Sequence, residues 1–538
     1  MGFLTRAPWP AVVVLVLAVA AAVPSFLRLP PWADLTLYDV AARNMLAGGV
    51  HYRDVFDTNL PGFVWALAGI RWLLGPSTEV VRAVDLGVVA GIAWLLAALA
   101  GRAGAGPAAR WWLLAGAALF YPFTPEINHA QRDVWMLLPA AGATLLRVRR
   151  ATDSRLSPLV GGLIEGAVWG LAVWVKPHAV VPCAAVWLAT ARRGWLLDAA
   201  GYLLGGGLAG AVGVGYLYAS GTWASFVEVF TVWNQGYFAR ALAETYDRLP
   251  LELVYFPPWS YLHVVGVPLA GVLFWKPGPA GKAVAALYLG WLFQAAFFQR
   301  DIPYIHVPEI LLLLAVLAVG RLPAVPLLVG WFAVLPLLAA PPEPRDGRGA
   351  VPREHGGWRT RHPLTTTAFW NTWPNCWRSL PPADAARRMD ALARVERFHG
   401  GANWAEQEEV ADWLTGQGVR DGEVLCWDDS PHALYLRLGV RPGFRFQHVH
   451  QMRGLDAAAR ARVDAELDAA LPRARWVVGD LRFAAAVDAR GVGDWTEAGP
   501  DLLPPDLSDG WRDQFPFTLR PVFRSGGGNG RYVVYAVR

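Results

Sequence analysis

Between Asp34 and Gly62 the chain reads DLTLYDVAARNMLAGGVHYRDVFDTNLPG, a stretch with four aspartates and two arginines. Carboxylates at that density can move protons from hydroxyl groups, and the neighbouring arginines can meet phosphate or carboxylate oxygens. Asp34 opens an expected helix over 35–47 that ends at Gly48–Gly49. A purely structural role for Asp34 is that of helix N-cap, worth about 1 kcal/mol. N-capping and proton transfer are compatible, and the company of Tyr38, Asp39, Arg53, Asp54, Asp57 and Asn59 in one short loop argues for chemistry.

Three further polar sites recur beside apolar runs. EINHAQRDVW carries Asp133, a carboxylate at the mouth of an apolar helix that must be solvated, paired or functional, with Arg132 as the simplest partner. Lys176, in WVKPH, either snorkels to an interface or neutralises a lipid phosphate. Gln299–Arg300–Asp301–Ile302–Pro303–Tyr304–Ile305–His306 is the third, where His306 meets phosphate or satisfies a helix terminus. Trp233–Phe238 reads as an interfacial helix whose rings border the site, with an interfacial belt as the structural explanation.

The elements that must position these groups are membrane helices. The chain has 538 residues, 54% of them hydrophobic and 17% charged, with a mean hydropathy of +0.30. Repeated uncharged runs then point to a polytopic α-helical membrane protein of about eleven spans plus interfacial helices. They lie near 10–26, 80–100, 109–125, 133–147, 158–176, 177–191, 199–219, 259–276, 281–298, 304–320 and 322–340. Pro61–Gly75, short and interrupted by Arg71, reads as interfacial or re-entrant. On that reading Arg102, Arg110, the run at 146–150 with Arg155, Arg192/Arg193 and Lys276/Lys282 all fall on the cytoplasmic side. The polar loops then share the outer face, together with the whole chain after about 341. The net charge of +5 is a topology signal, with no basic stripe for nucleic acid.

The tail has its own composition. A Pro/Arg/Gly-rich linker over 341–363 precedes a soluble α/β pattern over 364–538. Asn403 and Glu406 form a capping box for a helix to Gly416 or Gly418. EVLCWDD at 423–429 and ARWVVGD at 474–480 read as strands, and the C-terminus as a β-hairpin across SGGGNG. Cys183 sits in an apolar run; Cys376 and Cys426 read as free thiols, with a disulfide between them as the alternative.

The order of these features resembles the GT-C membrane glycosyltransferases, in the branch of the protein O-mannosyltransferases and the aminoarabinose transferase that modifies lipid A. The resemblance rests on Asp34, Tyr38, Gly49–Val50–His51–Tyr52–Arg53–Asp54 and Asp57–Thr58–Asn59–Leu60–Pro61, with Asp133 as the second acidic position and Tyr304–His306 as the late aromatic-His segment. It covers 10–340 in architecture, with the catalytic outer loop at 28–60. Two positions depart from the pattern: the opening acidic pair is Asp34–Leu35, and a lysine before the proline is replaced by Thr58–Asn59, leaving Lys176 to supply that charge.

The resemblance implies sugar transfer from a polyprenyl-phosphate donor to a lipid, glycan or protein acceptor. Asp34 would be the base and Asp133 the second catalytic carboxylate. Tyr38, Tyr52, Arg53, Asp57, Asn59, Lys176, Tyr304 and His306 would hold substrate, the cations among them meeting the phosphate. A divalent metal is compatible with so many carboxylates, but no spacing demands one. The alternative is a transporter or flippase of lipid-linked glycans, disfavoured because the charges gather at one face and no internal repeat is visible.

Overall fold

The computed structural model describes residues 8–152, 156–191, 194–239, 256, 258–276, 278–299, 302–322, 362–393, 401–428, 430–481, 514–528 and 530–537. The expected span at 322–340 beyond Leu322, the linker from 341 to 361, Arg155, Arg192, Arg193, Arg300, Asp301 and most of 240–257 lie outside them.

The chain is an integral membrane protein built from helices. Its first part runs α1 (Trp9–Arg28), α2 (Ala33–Leu46), α3 (Gly62–Leu74), α4 (Thr78–Arg102), α5 (Pro107–Phe120), α6 (Arg132–Thr152), α7 (Pro158–Val175), α8 (Val180–Ala189), α9 (Trp195–Ala219), α10 (His263–Trp275), α11 (Pro279–Phe298) and α12 (Val307–Val319). Among the described residues, α1, α4, α7, α9 and α11 are long and apolar enough to cross a membrane. At 13 residues α3 is too short for that. Its arginine is not left in apolar surroundings: Arg71 turns back to α2 and binds both carboxylate oxygens of Asp39 at 2.7 and 2.6 Å.

Apolar side chains gain little from leaving lipid for a helix interface, so close backbone approach has to hold such helices together. Glycines supply it between α7 and α9. A Cβ on Gly205 would stand 2.0 Å from the Leu163 carbonyl oxygen, and one on Gly166 would stand 2.1 Å from that of Tyr202. One end of this pair is riveted by charge. Arg150 reaches Glu165 and Asp198, each at 2.6 Å, and Arg147 joins Asp198 and the Thr190 hydroxyl. The polar loops lie at the other ends of α6 and α7, about 25 Å away along the helices.

The tail holds a four-stranded sheet in the order β1-β2-β4-β3. Parallel β1 (Val424–Cys426) and β2 (Trp476–Asp480) adjoin the antiparallel hairpin of β3 (Arg520–Arg524) and β4 (Tyr532–Ala536). Half of the expected capping box is made: the Asn403 side chain accepts from the Glu406 N–H at 3.1 Å and donates to its carboxylate at 2.6 Å, while the Asn403 backbone N–H goes to the Tyr532 hydroxyl at 3.1 Å; this starts α14 (Trp404–Gly416), which follows α13 (Pro382–Leu392). All three cysteines are free thiols. The first residues of the tail lie against the membrane helices, with the Trp373 indole donating to the Ala21 carbonyl at 2.9 Å and His362 bonded to that of Leu119 at 2.9 Å.

Candidate active site

Two prolines, Pro30 and Pro31, hold the chain extended before α2, and Trp32 takes the N-cap position. Asp34 is therefore not the cap; it lies in the first turn with its side chain a quarter exposed (24%). Tyr38 follows one turn later on the same face.

Local chemistry folds the loop after α2 back over that face. The Asp54 carboxylate accepts from the Val50 N–H at 2.7 Å, and Tyr52 adopts φ +66° in the tight turn between them. This turn explains two of the candidate residues. The Tyr52 hydroxyl donates to the Asn59 carbonyl at 2.5 Å while its ring stacks on His51. Arg53 points outward, 60% exposed, and pairs with Asp54 at 2.7 Å. Arg53 stays outside the central cluster, whereas the fully buried Tyr52 braces the loop within electrostatic reach of Asp57, Arg132 and Tyr38.

The braced loop presents Asp57 and Asn59. Asp57 accepts from the Asn59 backbone at 3.0 Å and from its amide at 2.6 Å, and that amide also donates to the Tyr38 hydroxyl at 3.3 Å. The other Asp57 oxygen is buried without a hydrogen bond, 3.7 Å from His51 Nε2. Burial pushes the Asp57 carboxyl up to about 6, against the opposing pull of Arg132 and Asn59. Burial likewise pushes His51 down to about 3.

The second acidic group is paired, though not with its neighbour in sequence. Lys176 Nζ donates to the two Asp133 oxygens at 2.8 and 2.7 Å and also to the Gln299 side chain, tying the start of α6 to the ends of α7 and α11. Arg132 is left over. Its guanidinium lies 5.3 Å above the Tyr38 ring, in the electrostatic reach of Asp57, Tyr304 and Asp133. Among the described residues it makes no hydrogen bond or ion pair; Nε is enclosed, and the two terminal nitrogens still reach open space. Arg82, also buried, differs in giving one N–H to the Pro30 carbonyl and lying over Phe26.

Tyr304, in the turn Pro303–His306, packs with Trp32 and Ile127 within electrostatic reach of Asp34, Tyr38, Arg132 and Asp133. His306 is directed into the start of α12, with Nδ1 2.9 Å from Glu309. The Trp233 ring is taken up by packing against Phe56 and Phe446, and its neighbour Asn234 donates to the Thr58 carbonyl at 2.9 Å. Tyr237 completes that border by facing Tyr38.

The tail roofs this cluster. The Phe56 N–H donates to the Arg445 carbonyl at 2.8 Å, and the Arg445 side chain bonds Glu228 and Glu466. Two residues beyond Phe446, His448 brings Nε2 to 3.8 Å from Asp34 Oδ1. The structure thus brings together Asp34, Tyr38, Asp57, Asn59, Asp133, Lys176 and Tyr304 with two groups not singled out from the sequence, Arg132 as a lone cation and His448. Among the described residues no three His, Cys, Asp or Glu side chains form a metal-binding group. Both Asp133 oxygens are engaged by Lys176, and one Asp57 oxygen by Asn59.

No protein-family model and no curated protein matches the chain. Its structure overlays on crystal structures of ArnT from Cupriavidus metallidurans. With the form bound to undecaprenyl phosphate the TM-score is 0.57 at 16% identity, over 98% of each chain. With the apo form it is 0.52 at 17% identity, over 97% of each. The chain has the GT-C fold. A more remote GT-C overlay, with the oligosaccharyltransferase AglB of Archaeoglobus fulgidus, has a TM-score of 0.44 and 11% identity, covering 89% of this chain and 70% of that one. The helices and roofing tail described above are therefore a GT-C arrangement from end to end.

Proposed function

We propose that the chain is a glycosyltransferase that moves a sugar from a polyprenyl-phosphate donor to an acceptor hydroxyl at the outer face of the cell (inner) membrane. The observation that carries this reading is Arg132: a buried cation with no ion pair among the described residues, sharing Tyr38 and Tyr304 with the partly exposed carboxylate of Asp34. Nearby Asp57 and Asp133 keep this guanidinium charged without touching it, and a phosphate ligand would supply the anion in direct contact. The ArnT structure that overlays on this chain contains undecaprenyl phosphate, a carrier of that class.

The chemistry follows from the arrangement. Asp34 accepts the proton of the acceptor hydroxyl as the oxygen attacks the anomeric carbon. The bond from that carbon to the phosphate oxygen breaks, and the electron pair leaves on the phosphate, where Arg132 stabilises it. Attack from the face opposite the phosphate inverts the anomeric centre. Tyr38, Asn59 and Asp57 orient sugar or acceptor hydroxyls, and Tyr304 walls the site. Lys176 holds Asp133 in register, so its charge serves the site's shape more than the donor phosphate.

The topology belongs to the same proposal. Helices α6 and α12 start at the site, and α7 and α11 end there; Arg147, Arg150, Lys282 and Arg321 lie at or near their other ends. That asymmetry supports a cytoplasmic far end and an outer site. Residues 1–340 then form the membrane transferase, 341–363 the linker and 364–538 an extracytoplasmic α/β domain. The test is transfer from a panel of radiolabelled polyprenyl-phosphate sugars in membranes carrying the wild type or Asp34→Asn. Label moved by the wild type alone supports the assignment; label moved equally by both removes Asp34 from the mechanism.

A further inference from the structure

The tail brings an ionisable group, His448, to Asp34. We propose that His448, from the tail, is the proton-relay partner of Asp34, so that the catalytic centre is complete only with the tail docked. This rests on the glycosyl-transfer reading above and adds the fate of the proton to it.

The geometry supports a built contact. His448 is held by the segment 444–450, which clamps the first loop through the Phe56–Arg445 backbone bond. Arg445 lies over Phe56 and Phe446, at 5.6 and 4.8 Å, while its guanidinium is fixed by Glu228 and Glu466. The Gln447 amide donates to the Phe444 carbonyl at 3.0 Å, closing the turn before the short helix Val449–Arg453. His448 occupies the N-cap position of that helix with its ring 5.7 Å from that of His432. The 3.8 Å between Nε2 and Asp34 Oδ1 is longer than a hydrogen bond, and a small side-chain rotation closes it. At 19% exposure the ring also reaches water.

The step balances. The acceptor O–H bond breaks and its proton goes to Asp34 as the new oxygen–carbon bond forms and the carbon–phosphate oxygen bond breaks. Asp34 then passes the proton to neutral His448, which releases it to solvent, restoring the carboxylate. Other groups face the pair. Tyr38 on α2, Tyr304 and Lys176 feel Asp34; Arg132 and Asp133 share Tyr304 with it; Asp57 and His432 face His448.

The test uses the full-length chain in lipid nanodiscs with 13Cε1-labelled histidine. His448→Gln removes one resonance and so assigns it. With the aspartate in place its carboxylate favours the imidazolium, so Asp34→Asn is expected to lower the His448 midpoint by about one pH unit. In the transfer assay, the acidic limb of wild-type kcat should coincide with that midpoint. H448Q should lose that limb and about 10- to 100-fold in kcat, with KM for the donor unchanged. A His448 midpoint that Asp34→Asn does not move overturns the pairing. A moved midpoint with normal kcat in H448Q overturns the relay. Absence of transfer by the wild type on every donor counts against the reaction, and the pairing is still decided by the titration.

Discussion

Exchanging Arg132 for glutamine distinguishes a cation kept for a ligand from one that holds the fold. Arg132 makes no hydrogen bond or ion pair among the described residues, and its one stacking contact is with Tyr38. Removing it deletes no salt bridge. It does remove a positive charge near Asp57, yet that carboxyl already titrates near 6 and can take up a proton in compensation. The melting temperature of Arg132→Gln in detergent should therefore match or exceed that of the wild type. Binding should respond in the opposite sense. Each hydrogen bond to a charged group is worth about 1.5–3 kcal/mol, so losing one weakens undecaprenyl phosphate binding by about 10- to 150-fold. Arg132→Lys should fall between, keeping the charge without the paired N–H geometry. The assay is a titration of nanodisc-embedded protein with undecaprenyl phosphate beside a thermal melt of the same samples. A lowered melting temperature with unchanged affinity would refute the argument.

Three more outcomes follow from the packing and from Asp57. Gly205→Val should lower the melting temperature by forcing α7 and α9 apart, at a cost of about 1–3 kcal/mol or more; Gly207→Val, where an added Cβ meets nothing within 4 Å, should not, and equal effects would discount the close approach. Arg71→Met removes the two short hydrogen bonds to buried Asp39 and leaves it only Arg43, 3.6 Å away, with an expected loss of about 1–3 kcal/mol; a melting temperature within error of the wild type would show the pair to be idle. Burial raises the Asp57 carboxyl from the usual carboxylate range to about 6, so folding favours its protonated form. The stability this provides is fully present below the unfolded value of about 4 and is lost as pH rises through about 6. Asp57→Asn should therefore melt above the wild type at pH 7.5, by the equivalent of roughly 2–3 kcal/mol, with the difference vanishing towards pH 4; a difference constant with pH would contradict the burial of that charge.

Much of the architecture was legible because its signals are local. Apolar runs mark the helices, the Asn403–Glu406 box marks the start of α14, and alternating or continuous apolar segments mark the four strands. The short α3 was legible from its length, although only the fold reveals why Arg71 is tolerated there, by pairing with Asp39. Site residues were harder because their roles depend on partners distant in sequence. Arg132 and Asp133 stand side by side and read as a pair, yet successive residues on a helix point in different directions, and Lys176 takes Asp133 from another helix. Tyr52 and Arg53 share a motif with the site but are consumed by the turn that Asp54 stabilises. His448 comes from the far end of the chain, and no local pattern in FRFQHVHQ marks it as a neighbour of Asp34.

How the other buried cations are held gives Arg132 its meaning: Arg82 and Arg388 donate to backbone carbonyls, and the rest are matched by carboxylates. Arg71 is matched by Asp39, Arg147 and Arg150 by Glu165 and Asp198, Lys176 by Asp133, and Arg531 in the tail by Asp480. Each pair joins two elements, so its charges act as fasteners and the desolvation they suffer is offset within the fold. Arg132 fastens nothing, though carboxylates surround it: Asp133 is held away by Lys176, and Asp57 is held by Asn59. Those two arrangements leave the terminal guanidinium nitrogens without an internal anion at the point where Asp34 remains partly open. If Lys176→Met frees Asp133, the carboxylate should turn to Arg132 and compete with the lipid phosphate. Undecaprenyl phosphate affinity would then fall, whereas an unchanged affinity would mean that Asp133 cannot reach Arg132 and that the Lys176 bridge has no part in keeping the cation available.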